Sequence, residues 1–125
     1  MADDQQLKGT VTYTEHDGRD LLQQAYDECY NRSLDNTLDQ SVRTKCTDTA
    51  YELSKVIGAI AQKQFSDASG DFQSSADKLK QAVADVRKQL DSLNAAANKA
   101  KAIVEVAKLL DDMLVIAAGI AKSFA

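Results

Sequence analysis

Proline is absent from the 125-residue chain, and glycine occurs only five times. Proline is the strongest helix breaker and glycine the next strongest, so their scarcity predicts long uninterrupted helices. Tryptophan is also absent, and the only aromatic residues are four tyrosines and three phenylalanines. A core with so few rings has to be built from Leu, Ile, Val and Ala, and alanine-rich contacts let helices approach closely, as in helical bundles.

A basic stripe is missing as well, and the net charge is −4. Up to Ser66 there are eleven acidic and seven basic residues, whereas from Asp67 onward there are eight of each. Because counterion release requires clustered cations, we expect no nucleic-acid partner.

Targeting and membrane-spanning segments are not visible either. The acidic, polar start over residues 1–6 has neither the basic nor the apolar part of a signal peptide. The longest uncharged apolar run, residues 113–121, has nine residues, against about 20 for a membrane-spanning helix. We therefore expect a cytoplasmic protein, or a secreted or periplasmic one if a signal peptide has been removed.

The residues that are present predict an irregular arm over residues 1–16 and a single helical domain over residues 17–125, with helices over about 17–32, 37–65 and 71–124. Residues 10–14 alternate like a strand, but an extended arm lying on the bundle is favoured because a single strand has no partner. Asp17 is the expected N-cap of the first helix. Thr37 and Gln40 have capping-box spacing at the start of the second.

Apolar residues in the second and third helices recur at steps of three and four, the heptad spacing of coiled coils. The sequence thus predicts an all-α fold: an antiparallel helical hairpin or bundle with heptad (coiled-coil-like) packing and a long C-terminal helix. From residue 103 a second stripe joins the first seam, and together they cover about 200° of the helix, against the ~100° of an ordinary surface helix. The seam comprises Phe72, Ala76, Leu79, Val83, Val86, Leu90, Leu93 and Ala97, and the second stripe comprises Ile103, Val106, Leu110, Met113, Ala117, Ile120 and Phe124.

Whether the last helix is continuous decides what this second stripe does. Asparagine can end a helix, and Asn94 and Asn98 flank three alanines, which are the best helix formers. The three alanines favour one continuous helix of ~54 residues, which would be ~80 Å long. In that case the stripe overhangs its neighbours and becomes an interface with another protein, a second copy or a lipid surface. A break at residues 94–98 gives a four-helix bundle instead, with the stripe in its core.

Residues that could carry chemistry are few. Cys29 and Cys46 lie on the apolar faces of the first two helices, where two outcomes stay open: reduced core thiols or a disulfide. A zinc site needs three or four ligands, and His16 is the only histidine, so we expect no metal and no cofactor. The spacing of the first seam continues from Ala100 to Ala121, and Asp111 is the only polar residue in that continuation. Asp111 fits either a polar layer or an ion pair with a lysine. Without a phosphate-binding glycine loop, HExxH or GxSxG, we expect no enzyme.

The function that these patterns favour is a non-catalytic protein-interaction or assembly module, such as an adaptor, a chaperone or an immunity-type protein. It would bind a second copy, as a dimer, or another protein through the apolar face of the C-terminal helix. The alternative is a lipid-surface or membrane-active amphipathic helical protein. That alternative is disfavoured, because interfacial helices prefer Trp, Phe and Lys.

Overall fold

The computed structural model describes residues 12–66 and 70–125. That part of the chain is all helical, which confirms the predicted class. Residues 1–11 of the predicted arm lie outside the described residues. The elements are α1 (Glu15–Ser33), α2 (Gln40–Ile60), α3 (Gly70–Ser92), a short 3-10 turn (Leu93–Ala95) and α4 (Lys99–Ala121).

The four helices form two antiparallel hairpins that cover each other's apolar faces. α1 packs against α2 and α3, and α4 packs against the same two helices, so the order around the core is α1, α2, α4, α3. Arg32 at the end of α1 pairs with Asp91 at the end of α3, so these two helices run parallel. A 3.5 Å pair between Lys99 Nζ and Asp39 Oδ1 joins the starts of α4 and α2, which also run parallel.

One continuous core runs through the bundle and contains the heptad seam that the sequence predicts in α3. Ala97, the next residue of that seam, is exposed because α3 has already ended. The buried residues of α1 and α2 face the same core. Those buried in the seam are Phe72, Ala76, Leu79, Val83, Val86, Leu90 and Leu93, and those of the first hairpin include Leu21, Leu22, Ala25, Cys29, Val42, Cys46, Ala50, Leu53 and Ile60.

The chain breaks between α3 and α4, so the expectation of one continuous last helix is wrong. Ala96 is extended, with φ −68° and ψ 137°. Asn98 caps α4, because its Oδ1 accepts a hydrogen bond from the Lys101 amide at 3.1 Å. Asn94 Nδ2 donates to the Thr37 carbonyl at 3.0 Å, which ties the turn to the connection between α1 and α2. The result is a four-helix bundle, and α4 returns along α3.

The first helix begins two residues earlier than predicted, because Thr14 and not Asp17 is its cap. The Asp17 amide donates to Thr14 Oγ1 at 3.2 Å, and the Thr14 amide donates to Asp17 Oδ2 at 2.8 Å. This reciprocal pair is a capping box. The hydrogen bond from the Thr14 backbone holds the pKa of Asp17 below its ordinary value.

The second helix is shorter than predicted at both ends. Thr37 does not form a capping box with Gln40, because its amide and hydroxyl both donate to Asp35 Oδ1, at 2.9 and 2.6 Å. At the other end the helix stops at Ile60 and not at Phe65. Phe65 instead forms an isolated antiparallel bridge with Phe124.

The C-terminal residues hold the two hairpins together at this end of the bundle. Gln64 and Ala125 exchange backbone hydrogen bonds of 3.0 and 2.8 Å, and the Ser66 amide donates to the Ser123 carbonyl at 2.8 Å. Beside this pairing the Phe65 ring lies 4.7 Å from the Phe72 ring and 5.3 Å from the Phe124 ring, centroid to centroid. All three phenylalanines of the chain therefore form one cluster.

Gly18 lets α1 approach this phenylalanine cluster closely. A Cβ atom placed on Gly18 would lie 2.9 Å from two atoms of the Phe72 ring, whereas one on Gly58 would meet nothing within 4 Å. Phe72 is buried and packed against Phe65, so its ring has little room to move.

We expect Gly18→Ala to lower the free energy of unfolding by about 1–2 kcal/mol, because overpacking outweighs the ~1 kcal/mol by which alanine favours a helix. The matched control Gly58→Ala, with open space around it, should raise the free energy of unfolding by about 0.5–1 kcal/mol. Urea denaturation followed by circular dichroism measures both variants. Equal and stabilising effects of the two substitutions would show that α1 does not touch Phe72.

Candidate interaction surface

The residues predicted to form an interface on the last helix lie mostly inside the protein. Six of the seven are buried in its own core, and the seventh, Ile103, is half-buried and packed against that core. The predicted interface is therefore wrong for these six residues: because the chain breaks after α3, their stripe faces α1, α2 and α3. The six buried residues are Val106, Leu110, Met113, Ala117, Ile120 and Phe124.

Cys29 and Cys46 are free thiols that lie wholly within the core. Burial raises the pKa of the Cys46 thiol to about 11. Burial also raises the pKa of Cys29, and the nearby Cys46 adds to that effect. Since the nucleophile and metal ligand is the thiolate, neither side chain is prepared for covalent chemistry at neutral pH.

The polar residues singled out in the sequence lie at the surface. Asp111 pairs with a lysine of a neighbouring helix, since Lys45 Nζ of α2 is 2.6 Å from its Oδ1. His16 is exposed in the first turn of α1. Within residues 12–66 and 70–125, no three His, Cys, Asp or Glu side chains are grouped so that they could hold a metal ion.

The exposed apolar surface of the first hairpin was not predicted. Tyr26 and Tyr30 of α1 stack with their ring centroids 5.9 Å apart and their planes 12° from parallel. Tyr30 is 48% exposed, and Tyr51 of α2 and Leu34 at the end of α1 are each 62% exposed. Three of the four tyrosines of the chain therefore lie at least partly on the surface of α1 and α2.

A groove runs between α1 and α2, and Tyr26 lines it. A shallow cavity of about 220 Å³ is lined by Tyr26 of α1 and by Ser54, Ile57 and Gly58 of α2. Tyr51 precedes Gly58 by seven residues, two helical turns, so it lies on the same side of α2. Because the two helices are antiparallel, Tyr51 lies farther along the groove in the direction of Tyr30. We call the surface formed by Tyr26, Tyr30, Tyr51 and Ile57 the tyrosine face.

A second cavity continues the groove toward the start of α1 and the end of α2. It has a volume of about 250 Å³ and shares Gln23 and Ile57 with the first cavity. Arg19 borders it and is held in place, because its guanidinium donates to the carbonyls of Ile60 and Lys63 at 3.1 and 2.9 Å. Its other contacts are the Glu15 carboxylate and the Phe124 ring. The groove thus has a rigid polar end and an aromatic end.

The α1–α2 hairpin that carries the tyrosine face has an excess of acidic residues. Residues 15–63 contain nine acidic and six basic residues, a balance of −3. Asp27 of α1 and Asp48 of α2 are exposed. The ammonium of Lys55 already lies 5.0 Å from the centroid of the Tyr51 ring, a distance at which a cation is attracted to the ring face. The surface is therefore suited to apolar and cationic groups together.

The signal that could have found the surface is the spacing of Tyr26 and Tyr30, four residues apart and hence adjacent on a helix. The position of Tyr51 relative to them depends on how α1 and α2 pair, which no local pattern specifies.

None of the four helices described here is long and apolar enough to cross a membrane. No protein-family model, curated protein or solved structure matches the chain.

Proposed function

We propose that this protein is a non-catalytic binding module that recognises another protein through the tyrosine face of the α1–α2 hairpin. The observation that carries the proposal is the exposure of Tyr30 and Tyr51 on the two helices whose groove is lined by Tyr26 and Ile57. Tyrosine is enriched in protein interfaces because its ring supplies a large apolar contact and its hydroxyl a hydrogen bond. An adaptor, chaperone or immunity-type protein would use such a surface.

The chemistry of the face defines the class of partner. An acidic hairpin with exposed rings favours a segment that carries arginine or lysine next to apolar residues. The cations would stack on the tyrosine rings and pair with carboxylates such as Asp27 and Asp48, and an apolar side chain would enter the groove over Ile57.

The test uses a phage-displayed library of random 20-residue peptides selected on the full chain. We expect the selected peptides to be basic and amphipathic. Isothermal titration should show that Tyr30→Ser with Tyr51→Ser weakens their binding at least about tenfold, as loss of aromatic anchors does in other interfaces. The matched control is Val104→Ser with Val115→Ser, which removes two exposed apolar residues of α4 and should leave the affinity unchanged.

Two results would overturn the proposal. One is a selection that yields no binder. The other is a set of binders whose affinity is the same for the wild type and the tyrosine variant while the α4 variant loses it. Circular dichroism of both variants checks that the fold is intact, which is expected because all four substituted side chains are well exposed.

A further inference from the structure

The outer side of α4 carries a second, independent feature: two valines that face solvent along one line. Val104 is 68% exposed and Val115 is 72% exposed. They are eleven residues apart, which is three helical turns plus about 20°, so both point in the same direction. Between them, Lys108 and Asp111 lie within about 40° of that line and are also exposed. We call these four residues the α4 outer row.

The α4 outer row is complementary to itself when reversed. If two α4 helices lie antiparallel, with a two-fold axis passing between residues 109 and 110, Val104 of one copy lies opposite Val115 of the other. The same axis places Lys108 opposite Asp111, and symmetry repeats both contacts. A two-fold interface requires this kind of self-complementarity, because one patch must serve both subunits.

We propose that a second copy of this chain docks on the α4 outer row in this antiparallel register. The arrangement buries four exposed valine side chains and forms two ion pairs between the copies. A parallel pairing about an axis along the helices would instead place Lys108 against Lys108 and Asp111 against Asp111. The charge pattern therefore selects one orientation, since like charges facing each other are unfavourable.

Asp111 can take part in this contact while it keeps its partner within the chain. Its Oδ1 lies 2.6 Å from Lys45 Nζ, and its side chain is still 62% exposed. A carboxylate has two oxygens and can accept several hydrogen bonds, so Oδ2 can receive Lys108 of the second copy. Lys45 would then hold the carboxylate in a fixed position for the intermolecular pair.

The size of the contact sets its strength. A single row of one helix covers less than the roughly 800 Å² per partner of a standard stable interface. We therefore infer a weak dimer that forms with rising protein concentration and dissociates on dilution. This inference is independent of the proposed function, because the tyrosine face lies on α1 and α2 and remains open in the dimer.

Charge reversal provides the test. In sedimentation equilibrium at low ionic strength, the wild type should show a reversible monomer–dimer equilibrium. In a dimer of Lys108→Asp, the new aspartate of each copy faces Asp111 of the other copy. In a dimer of Asp111→Lys, the new lysine of each copy faces Lys108 of the other copy. Each variant alone should therefore have a dimer dissociation constant at least about tenfold higher than that of the wild type. An equimolar mixture of the two variants restores both opposite-charge pairs and should form a heterodimer.

The matched control is Lys80→Asp, which reverses an exposed charge on the side of α3 that faces α1, away from the α4 outer row, and should leave the dissociation constant unchanged. Three results would each overturn the proposal: a wild type that stays monomeric up to millimolar concentration, a dimer that is insensitive to Lys108→Asp, and a mixture of the two variants that stays monomeric. Circular dichroism of each variant establishes that the helices are intact, so loss of the dimer cannot be confused with unfolding.

Discussion

Leu110→Ala is expected to lower the free energy of unfolding by about 3 kcal/mol, within the range for truncating a fully buried leucine. Leu110 has no exposed surface and lies in the middle of α4, where the second stripe faces the core. The substitution removes three carbon atoms from a site that is enclosed by other helices and cannot readily collapse. Small domains have only about 5–15 kcal/mol of total stability, so the loss is a large part of it.

The control for this experiment is Val115→Ala, five residues farther along the same helix. Val115 is 72% exposed, and surface substitutions usually change stability by no more than about 0.5 kcal/mol. Urea denaturation of both variants at a fixed low protein concentration measures the difference. If Leu110→Ala leaves the midpoint unchanged and alters only the oligomeric state, the second stripe is an interface after all and the break between α3 and α4 does not hold in solution.

The apolar side of α3 shows which part of the fold the sequence could predict. The residues from Phe72 to Leu93 are spaced so that they share one side of a helix, and that side is buried in the structure. This follows from a local rule, because the period of the apolar residues alone determines which face turns away from water. The all-α class follows in the same way from composition.

The break between α3 and α4 shows what the sequence left open between two alternatives. Local propensity favours a helix through three consecutive alanines, yet Ala96 is extended. The hydrogen bond from Asn94 to Thr37 joins residues 57 positions apart, and the apolar stripe of α4 is buried only if the chain turns back. Tertiary contacts of this kind outweigh the preference of a few residues, which is worth less than ~1 kcal/mol per residue.

The placement of the candidate surfaces depends on the same nonlocal event. With a continuous last helix, the second stripe would have been the largest exposed apolar surface of the molecule. Once the helix folds back, the stripe becomes core. Among the described residues, the large apolar side chains that remain exposed are Tyr30, Leu34, Tyr51, Val104 and Val115. The sequence indicated that apolar surface is plentiful, but only the pairing of the helices determines which part reaches solvent.

Phe124, the penultimate residue, is expected to stabilise the fold almost as much as a residue in the middle of the core. We predict that Phe124→Ala lowers the free energy of unfolding by about 3 kcal/mol. The ring is 96% buried, since only 4% of its surface is exposed, and it packs against Phe65 with the Arg19 guanidinium 4.6 Å from its centroid. Loss of the ring leaves a gap between the two hairpins at the end of the bundle where residues 64–66 pair with residues 123–125.

Phe124→Leu is the matched control, because it keeps most of the apolar volume and removes only the aromatic contacts. It should cost about 1 kcal/mol, the value of the edge and cation contacts beyond simple burial. Hydrogen exchange at the amides of Ser66 and Ala125, which donate to Ser123 and Gln64, distinguishes local from global loss. In Phe124→Ala these two amides should exchange faster than those of the helix interiors. Unchanged stability together with unchanged protection of both amides would mean that the chain end does not hold the hairpins together.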